Sequence, residues 1–158
     1  MIKKPIVRWQ IINPELNLAK VPVRATPGSA GIDFSCIEPF RVFPAGTVKV
    51  PTGLKVAIPR GYCMLLLPRS GLAADFQVTL MNSPGLIDSD YRGEIIVLVT
   101  NHGSNVKAFY KGDRVCQAVI LEEFTSHFDF VVVDSLDETE RGEGGLGSTG
   151  VGSLDKAA

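Results

Sequence analysis

In LKVAI (54–58), Leu54, Val56 and Ile58 alternate with Lys55 and Ala57, the two-residue period of a strand with one buried face. Similar short apolar runs recur along the chain: VKV (48–50), CMLLL (63–67), VCQAVIL (115–121) and FDFVVV (128–133). EIIVLVT (94–100) is apolar on both faces, which places it deep in the body or against another subunit. Turn-forming stretches such as PAGT, PTG, PRG, NHGSN and YKGD separate these runs. Short β-rich segments bounded by turns predict an all-β sandwich or barrel. Only SGLAADFQ (70–77) has helical composition, and it spans barely two turns. No internal repeat is present.

From about Glu138 the periodicity stops, and glycine, serine and charged residues take over. Such a segment buries too little apolar surface to offset the entropy of ordering it. The pattern predicts a β domain over residues 1–137 and a flexible glycine-rich arm over 138–158. In isolation that arm reads as a disordered terminus.

Composition narrows the class. A chain of 158 residues holds one domain with a substantial core, and a formal net charge of −1 offers no broad basic surface for nucleic acid or an anionic membrane. No apolar run approaches the ~20 residues that span a bilayer, and the start lacks a signal-peptide pattern. These features predict a cytoplasmic protein. Cys36, Cys63 and Cys116 are odd in number and widely spaced, as buried, inert thiols are. His102 and His127, the only histidines, are tied to no nucleophile by any motif.

The arm RGEGGLGSTGVG (141–152) formally contains G-x-G-x-x-G at Gly142, Gly144 and Gly147. A dinucleotide fingerprint needs a strand before it and a long helix after it, and neither fits here. A Walker A loop fails too, because Ser148 stands where lysine is required. What remains is a run of exposed backbone N–H groups with Arg141, Ser148 and Thr149 as further donors, able to wrap a polyphosphate. PRSGLA (68–73) sets Arg69 and Ser70 at the start of the predicted helix, as an anion site or a plain N-cap. GDRVCQ (112–117) sets Arg114 and Gln117 at the entry to a strand, and in isolation it reads as a turn followed by an edge polar residue. Asp33 in SAGIDF (29–34) is a turn-former or a carboxylate aimed at a metal or a water. In NSPGLIDSDYRGE (82–94), Pro84-Gly85 reads as a hairpin turn, followed by Asp88, Asp90 and Tyr91.

Together, AGIDFSC, PRSGLA, NSPGLIDSDYRGE, GDRVCQAVI and RGEGGLGSTG resemble the five ordered motifs of the trimeric dUTPases, over residues 30–150. The resemblance implies a jelly-roll-like β-barrel of the β-clip type, a homotrimer whose active sites draw motifs from more than one subunit, and an arm that closes a neighbouring site. It implies hydrolysis of dUTP to dUMP and pyrophosphate with Mg²⁺, with no nucleic-acid or membrane partner. Asp88 matches the residue that orients and deprotonates the attacking water, aided by partial burial, and Asp33 the one that holds Mg²⁺ through water. Arg69, Ser70, Gly71 and Gln117 match phosphate contacts; Arg141, Gly145, Gly147, Ser148 and Thr149 match the arm's grip on the phosphates. Asn82, Gly85, Leu86 and Ile87 match the uracil-reading hairpin, and Tyr91 the tyrosine under the deoxyribose. Two positions depart from the usual pattern: Leu146 stands where an aromatic often covers the base, and Pro84 lacks an N–H in the hairpin. The deaminases of dCTP share the fold and parts of the motifs, but no clear equivalent of their water-activating set is present. A non-catalytic regulator is disfavoured because every catalytic position is filled.

Overall fold

The computed structural model describes residues 4–146, 148 and 150. The chain divides into two units, Met1–His127 and Phe128–Ala158. The first is all-β apart from one short helix. In chain order it contains β1 (Arg8–Ile11), β2 (Ile32–Ser35), β3 (Phe40–Val42), β4 (Thr47–Pro51), β5 (Leu54–Ala57), β6 (Tyr62–Leu67), α1 (Ser70–Phe76), β7 (Val78–Leu80), β8 (Gly85–Ile87), β9 (Ile96–Asn101), β10 (Lys107–Phe109) and β11 (Arg114–Glu122). The strands form four sheets, ordered β1-β5, β3-β10, β2-β11-β6-β8 and β4-β9-β7, with every pairing antiparallel.

Alternation decides which residues turn inward. In β5, Leu54 and Val56 are buried while Lys55 and Ala57 are only partly covered, as the sequence pattern requires. Phe34 of β2, Met64 and Leu66 of β6, and Cys116 and Ala118 of β11 join Val97 and Val99 of β9 in one buried cluster. β9 is the middle strand of its sheet, so the doubly apolar EIIVLVT lies within its own chain's body. Phe40 and Phe109 stand opposite each other across β3 and β10 with stacked rings 4.7 Å apart, a cross-strand pair that fastens the two-stranded sheet.

FDFVVV forms no strand. Phe130, Val132 and Val133 are exposed, and residues 128–133 pair with no strand among the described residues. Strand propensity alone does not make a strand; a partner with a free edge is also required. Six short strands (β1, β2, β3, β7, β8, β10) went unread because three or four residues are too few to show a period.

One buried polar residue ties the turns at the end of β9. Asn101 is fully buried, and its Nδ2 donates to the carbonyls of Val42 (3.0 Å) and Asn105 (2.9 Å). Its Oδ1 accepts from the Gly103 N–H at 2.8 Å. Leucine at this position fills similar space but strands the buried partners, so Asn101→Leu is expected to lower stability by at least about 2 kcal/mol in urea unfolding.

Candidate active site

β11 brings distant motifs to one strip of sheet. It is hydrogen-bonded to β2 on one side and β6 on the other, so Gln117 stands opposite both Asp33 and Leu67. Directly opposed residues share a face, which puts Asp33 and Gln117 side by side. Asp33 is therefore a mid-strand residue, and the turn-former reading falls. After Leu67 the chain leaves β6 through Pro68 and turns into α1. Arg69 is the extended N-cap of that helix (φ −97°, ψ 130°), with no side-chain capping bond, so Ser70 is the first helical residue and not the cap. Ser70 and Gly71 are exposed, and backbone N–H groups in a first turn have no helical partner.

Polar contacts tighten this group. The Arg69 Nε donates to Asp33 Oδ1 and the Arg114 Nη1 to Asp33 Oδ2, both at 3.1 Å. The Arg69 Nη1 also reaches the carbonyl of Arg114 at 3.4 Å. Gln117 donates through Nε2 to the Pro68 carbonyl at 2.9 Å. Gly31 leaves room for that amide, since a Cβ there would stand 2.6 Å from Gln117 Oε1. On the other face, Cys116 is wholly buried, and its thiol is pushed up to about 12. Burial is the main cause; the Asp33 charge adds to it and Arg69 offsets it. It is a packing group and no nucleophile. The sequence singled out Arg114 but gave it no partner, and the lone signal for its contact is the polar residue just after Gly112-Asp113.

The hairpin group lies elsewhere. β8 pairs with β6 as an edge strand, with Gly85 opposite Leu66 and Ile87 opposite Met64. The turn runs ahead of Gly85, which is the first strand residue and not a turn position. The Asn82 amide lies over Gly85, where a Cβ would meet its Nδ2 at 3.2 Å. Leu86 is exposed and Ile87 packs against the core. Asp88 is exposed in the single chain, so the expected partial burial is absent. It borders a cleft of ≈ 630 Å³ lined with Tyr62, Cys63, Asp90, Glu122 and Glu123, without lysine or arginine. Burial raises the pKa of Cys63 there, helped by the charges of Glu123 and Asp88. Glu123 itself is held below the usual carboxylate range, chiefly by the backbone N–H of Ser126. No motif marks this cleft, because Glu122 comes from the end of β11 and Glu123 from the residue after it. Tyr91 donates its hydroxyl to the Glu94 carbonyl at 2.9 Å, and its ring lies where any Cβ on Gly93 would be. Arg92 Nη1 braces the loop at the carbonyls of Ser89 and Tyr91, both 2.7 Å away.

Along β6, the step from Leu67 (opposite Gln117) to Cys63 (beside Asp88) is four residues, roughly 13 Å. One chain thus keeps a basic group and an acidic cleft apart. In the second unit, Arg141 Nε donates to the Gly144 carbonyl at 2.8 Å, and Ser148 N–H to that of Gly145 at 3.2 Å. Leu146 is fully exposed. Gly147 and Thr149 lie outside the described residues.

The donor set fits one kind of metal. No three His, Cys, Asp or Glu side chains among the described residues converge closely enough to hold a metal ion by themselves. Asp33 has both oxygens beside guanidinium groups yet keeps lone pairs, since a carboxylate accepts about four bonds. That suits a hard cation held through its own waters and mainly by a polyphosphate, the habit of Mg²⁺.

The dUTPase family model matches residues 17–150, through both groups and into the glycine arm. The chain belongs to the dUTPase family. It is 42% identical over 149 residues to a deoxyuridine 5'-triphosphate nucleotidohydrolase of Wolinella succinogenes, over 94% of this chain and 97% of that one. A protein of the same name from Desulfitobacterium hafniense is 47% identical over 135 residues, 84% of this chain and 88% of that one. Among solved structures, a variant of the Staphylococcus bacteriophage 80alpha dUTPase with dUpNHpp shares the fold at TM-score 0.82 and 24% identity, over 92% of this chain and 99% of that one. The all-β expectation and the family resemblance therefore hold.

A dUTPase whose Gln117 needs the space above Gly31 should not tolerate a side chain there. Gly31→Ala is expected to displace the Gln117 amide and weaken binding of dUpNHpp by about 10-fold, read by calorimetry, with a smaller loss of thermal stability.

Proposed function

We propose that this dUTPase hydrolyses dUTP to dUMP and pyrophosphate by water attack on the α-phosphorus, assisted by Mg²⁺, in a homotrimer. The reaction limits uracil incorporation into DNA and supplies dUMP for thymidine nucleotide synthesis. The observation that carries the reading is the pairing of opposites: a basic group at Arg69, Arg114 and Gln117, and a separate carboxylate, Asp88, on a hairpin with a free strand edge.

A triphosphate is drawn to the first group and repelled by the acidic cleft around Asp88. Arg69, the first-turn N–H groups of Ser70 and Gly71, and Gln117 hold the phosphates. From the arm of a neighbouring subunit, Arg141, Gly145, Gly147, Ser148 and Thr149 add donors at the far end. Bound Mg²⁺, with Asp33 accepting from its waters, supplies charge neutralisation on the phosphate oxygens. Asp88 accepts a proton from the attacking water while the new P–O bond forms and the bond to the pyrophosphate oxygen breaks. The unpaired edge of β8, at Gly85, Leu86 and Ile87, offers donors and acceptors to the uracil edge, with Asn82 folded above. Tyr91, held through Glu94 and seated on Gly93, is rigid enough to exclude a ribose hydroxyl.

Two observations favour assembly. The basic group and Asp88 lie on separate strips roughly 13 Å apart along β6, an arrangement that residues of a second copy would complete. The outer face of the β2-β11-β6-β8 sheet also carries Leu65, Leu67, Leu86 and Leu121, partly to largely exposed, as a face awaiting a partner does. No described helix is long and apolar enough to cross a membrane. Because a nucleotide pool is its substrate, we place the enzyme in the cytoplasm.

Incubation with dUTP and Mg²⁺ should release dUMP and pyrophosphate; ammonia from dCTP with dUTP untouched would overturn the assignment. Asp88→Asn is expected to lower kcat by about 10²–10⁴-fold while dUpNHpp still binds, and full activity in that variant removes Asp88 as the base. Leu146 covers the base by hydrophobic contact alone. Leu146→Phe should therefore lower KM by about 2- to 10-fold through added stacking, and an unchanged or higher KM would contradict that role.

A further inference from the structure

Arg114 and Gln117 are three residues apart, so in a regular strand their side chains would point to opposite faces. They do not. Gln117 faces Asp33 and Cys116 faces Phe34, but Arg114 faces Ser35, because the register of β11 against β2 shifts between Arg114 and Cys116. The extra residue is Val115, and Val115 and Cys116 are buried in succession. This bulge moves Arg114 to the face of Asp33, two residues from Ser35 along β2. The turn before it is pinned. Tyr110 N–H donates to Asp113 Oδ2 (2.7 Å), Cys36 N–H to the Asp113 carbonyl (3.0 Å) and Gly112 N–H to the Cys36 carbonyl (2.9 Å). Gly112 has φ +91°, a conformation that excludes most other residues.

We infer that Arg114 is a positioning residue, which, through Asp33, holds the guanidinium of Arg69 in its phosphate-binding pose. This deepens the dUTP-hydrolase reading and rests on it. Arg69 is fixed at two points, Nε on Asp33 Oδ1 and Nη1 on the Arg114 carbonyl, while its Nη2 makes no bond among the described residues and is free for phosphate. Arg114 fixes the other oxygen of the same carboxylate and so sets the plane on which Arg69 rests. Its side chain is 55% exposed against 26% for Arg69, so such a pair adds little stability. Its value is orientation of a long, otherwise mobile side chain. Charge balance agrees: one carboxylate between two guanidiniums leaves a net positive group facing the phosphates.

A double-mutant cycle separates positioning from direct phosphate contact. Binding of dUpNHpp is measured by calorimetry, with Mg²⁺ and with chelator, for the wild type, Arg114→Ala, Arg69→Ala and the double variant. Arg114→Ala should weaken binding about 10-fold in both conditions and raise KM similarly, with kcat within about 3-fold and an unchanged melting temperature. Arg114→Lys should recover most of the loss, because one N–H to Oδ2 is all that the Arg114 side chain supplies, and the backbone carbonyl is kept. In the Arg69→Ala background, Arg114→Ala should add less than about 2-fold. Full multiplication of the two losses would show direct contact and overturn the inference, as would wild-type binding in Arg114→Ala. If the wild-type protein leaves dUTP intact, the functional reading fails separately. The same cycle run with pyrophosphate then still reports whether Arg114 acts through Arg69.

Discussion

The site depends on the two-sided pairing of β11. A strand hydrogen-bonded on both edges cannot slide without breaking two ladders at once, and every residue on it inherits that fixity. Gln117 is the point of convergence. It stands opposite Asp33 of the first motif and Leu67, two residues before Arg69 of the second. Three stretches more than thirty residues apart in sequence thus form one polar strip without any loop being asked to hold a precise shape. The buried side of the same strand carries Cys116 and Ala118, small enough to let Phe34 and Leu66 close over them.

Charge is sorted along this sheet as strictly as hydrophobicity is sorted through it. Arginines gather at the Leu67 end of β6 and carboxylates at the Cys63 end. A single surface with both would neutralise itself by internal ion pairs, and neither a polyanion nor a water-activating carboxylate would be served. Keeping them on separate strips lets each retain its character. Asp33 is the exception that makes the basic strip orderly, since it spends its charge on two arginines and leaves them oriented.

Much of this was legible in the sequence where a pattern had length. LKVAI, CMLLL and VCQAVIL announced their strands, and SGLAADFQ its helix, because five or more residues suffice to show a period. Three of the five motifs, those of Asp33, Arg69 and Gln117, meet on one strip because β11 pairs with both β2 and β6. What failed did so for physical reasons. FDFVVV has every local preference of a strand but finds no partner strand among the described residues, and pairing is not a local property. β8 was mistaken for part of a turn because Gly85 has no side chain to reveal its face. The acidic cleft joins residues from β6, β8 and β11, and its existence is a matter of register. Arg114 was hidden by an odd spacing that only a bulge makes even.

That bulge has a consequence for how the chain can change in length. Parity along a strand is a counting rule: loss of Val115 alone would restore regular alternation with Arg114 still on the face of Asp33. Straightening of the bulge with every residue kept would instead turn Arg114 toward Phe34 and the interior, where a guanidinium finds no partner. The bulge therefore tolerates the loss of its own extra residue but not its own straightening, and the turn before it is restricted in letter, since Gly112 needs its positive φ and Asp113 accepts from the Tyr110 N–H.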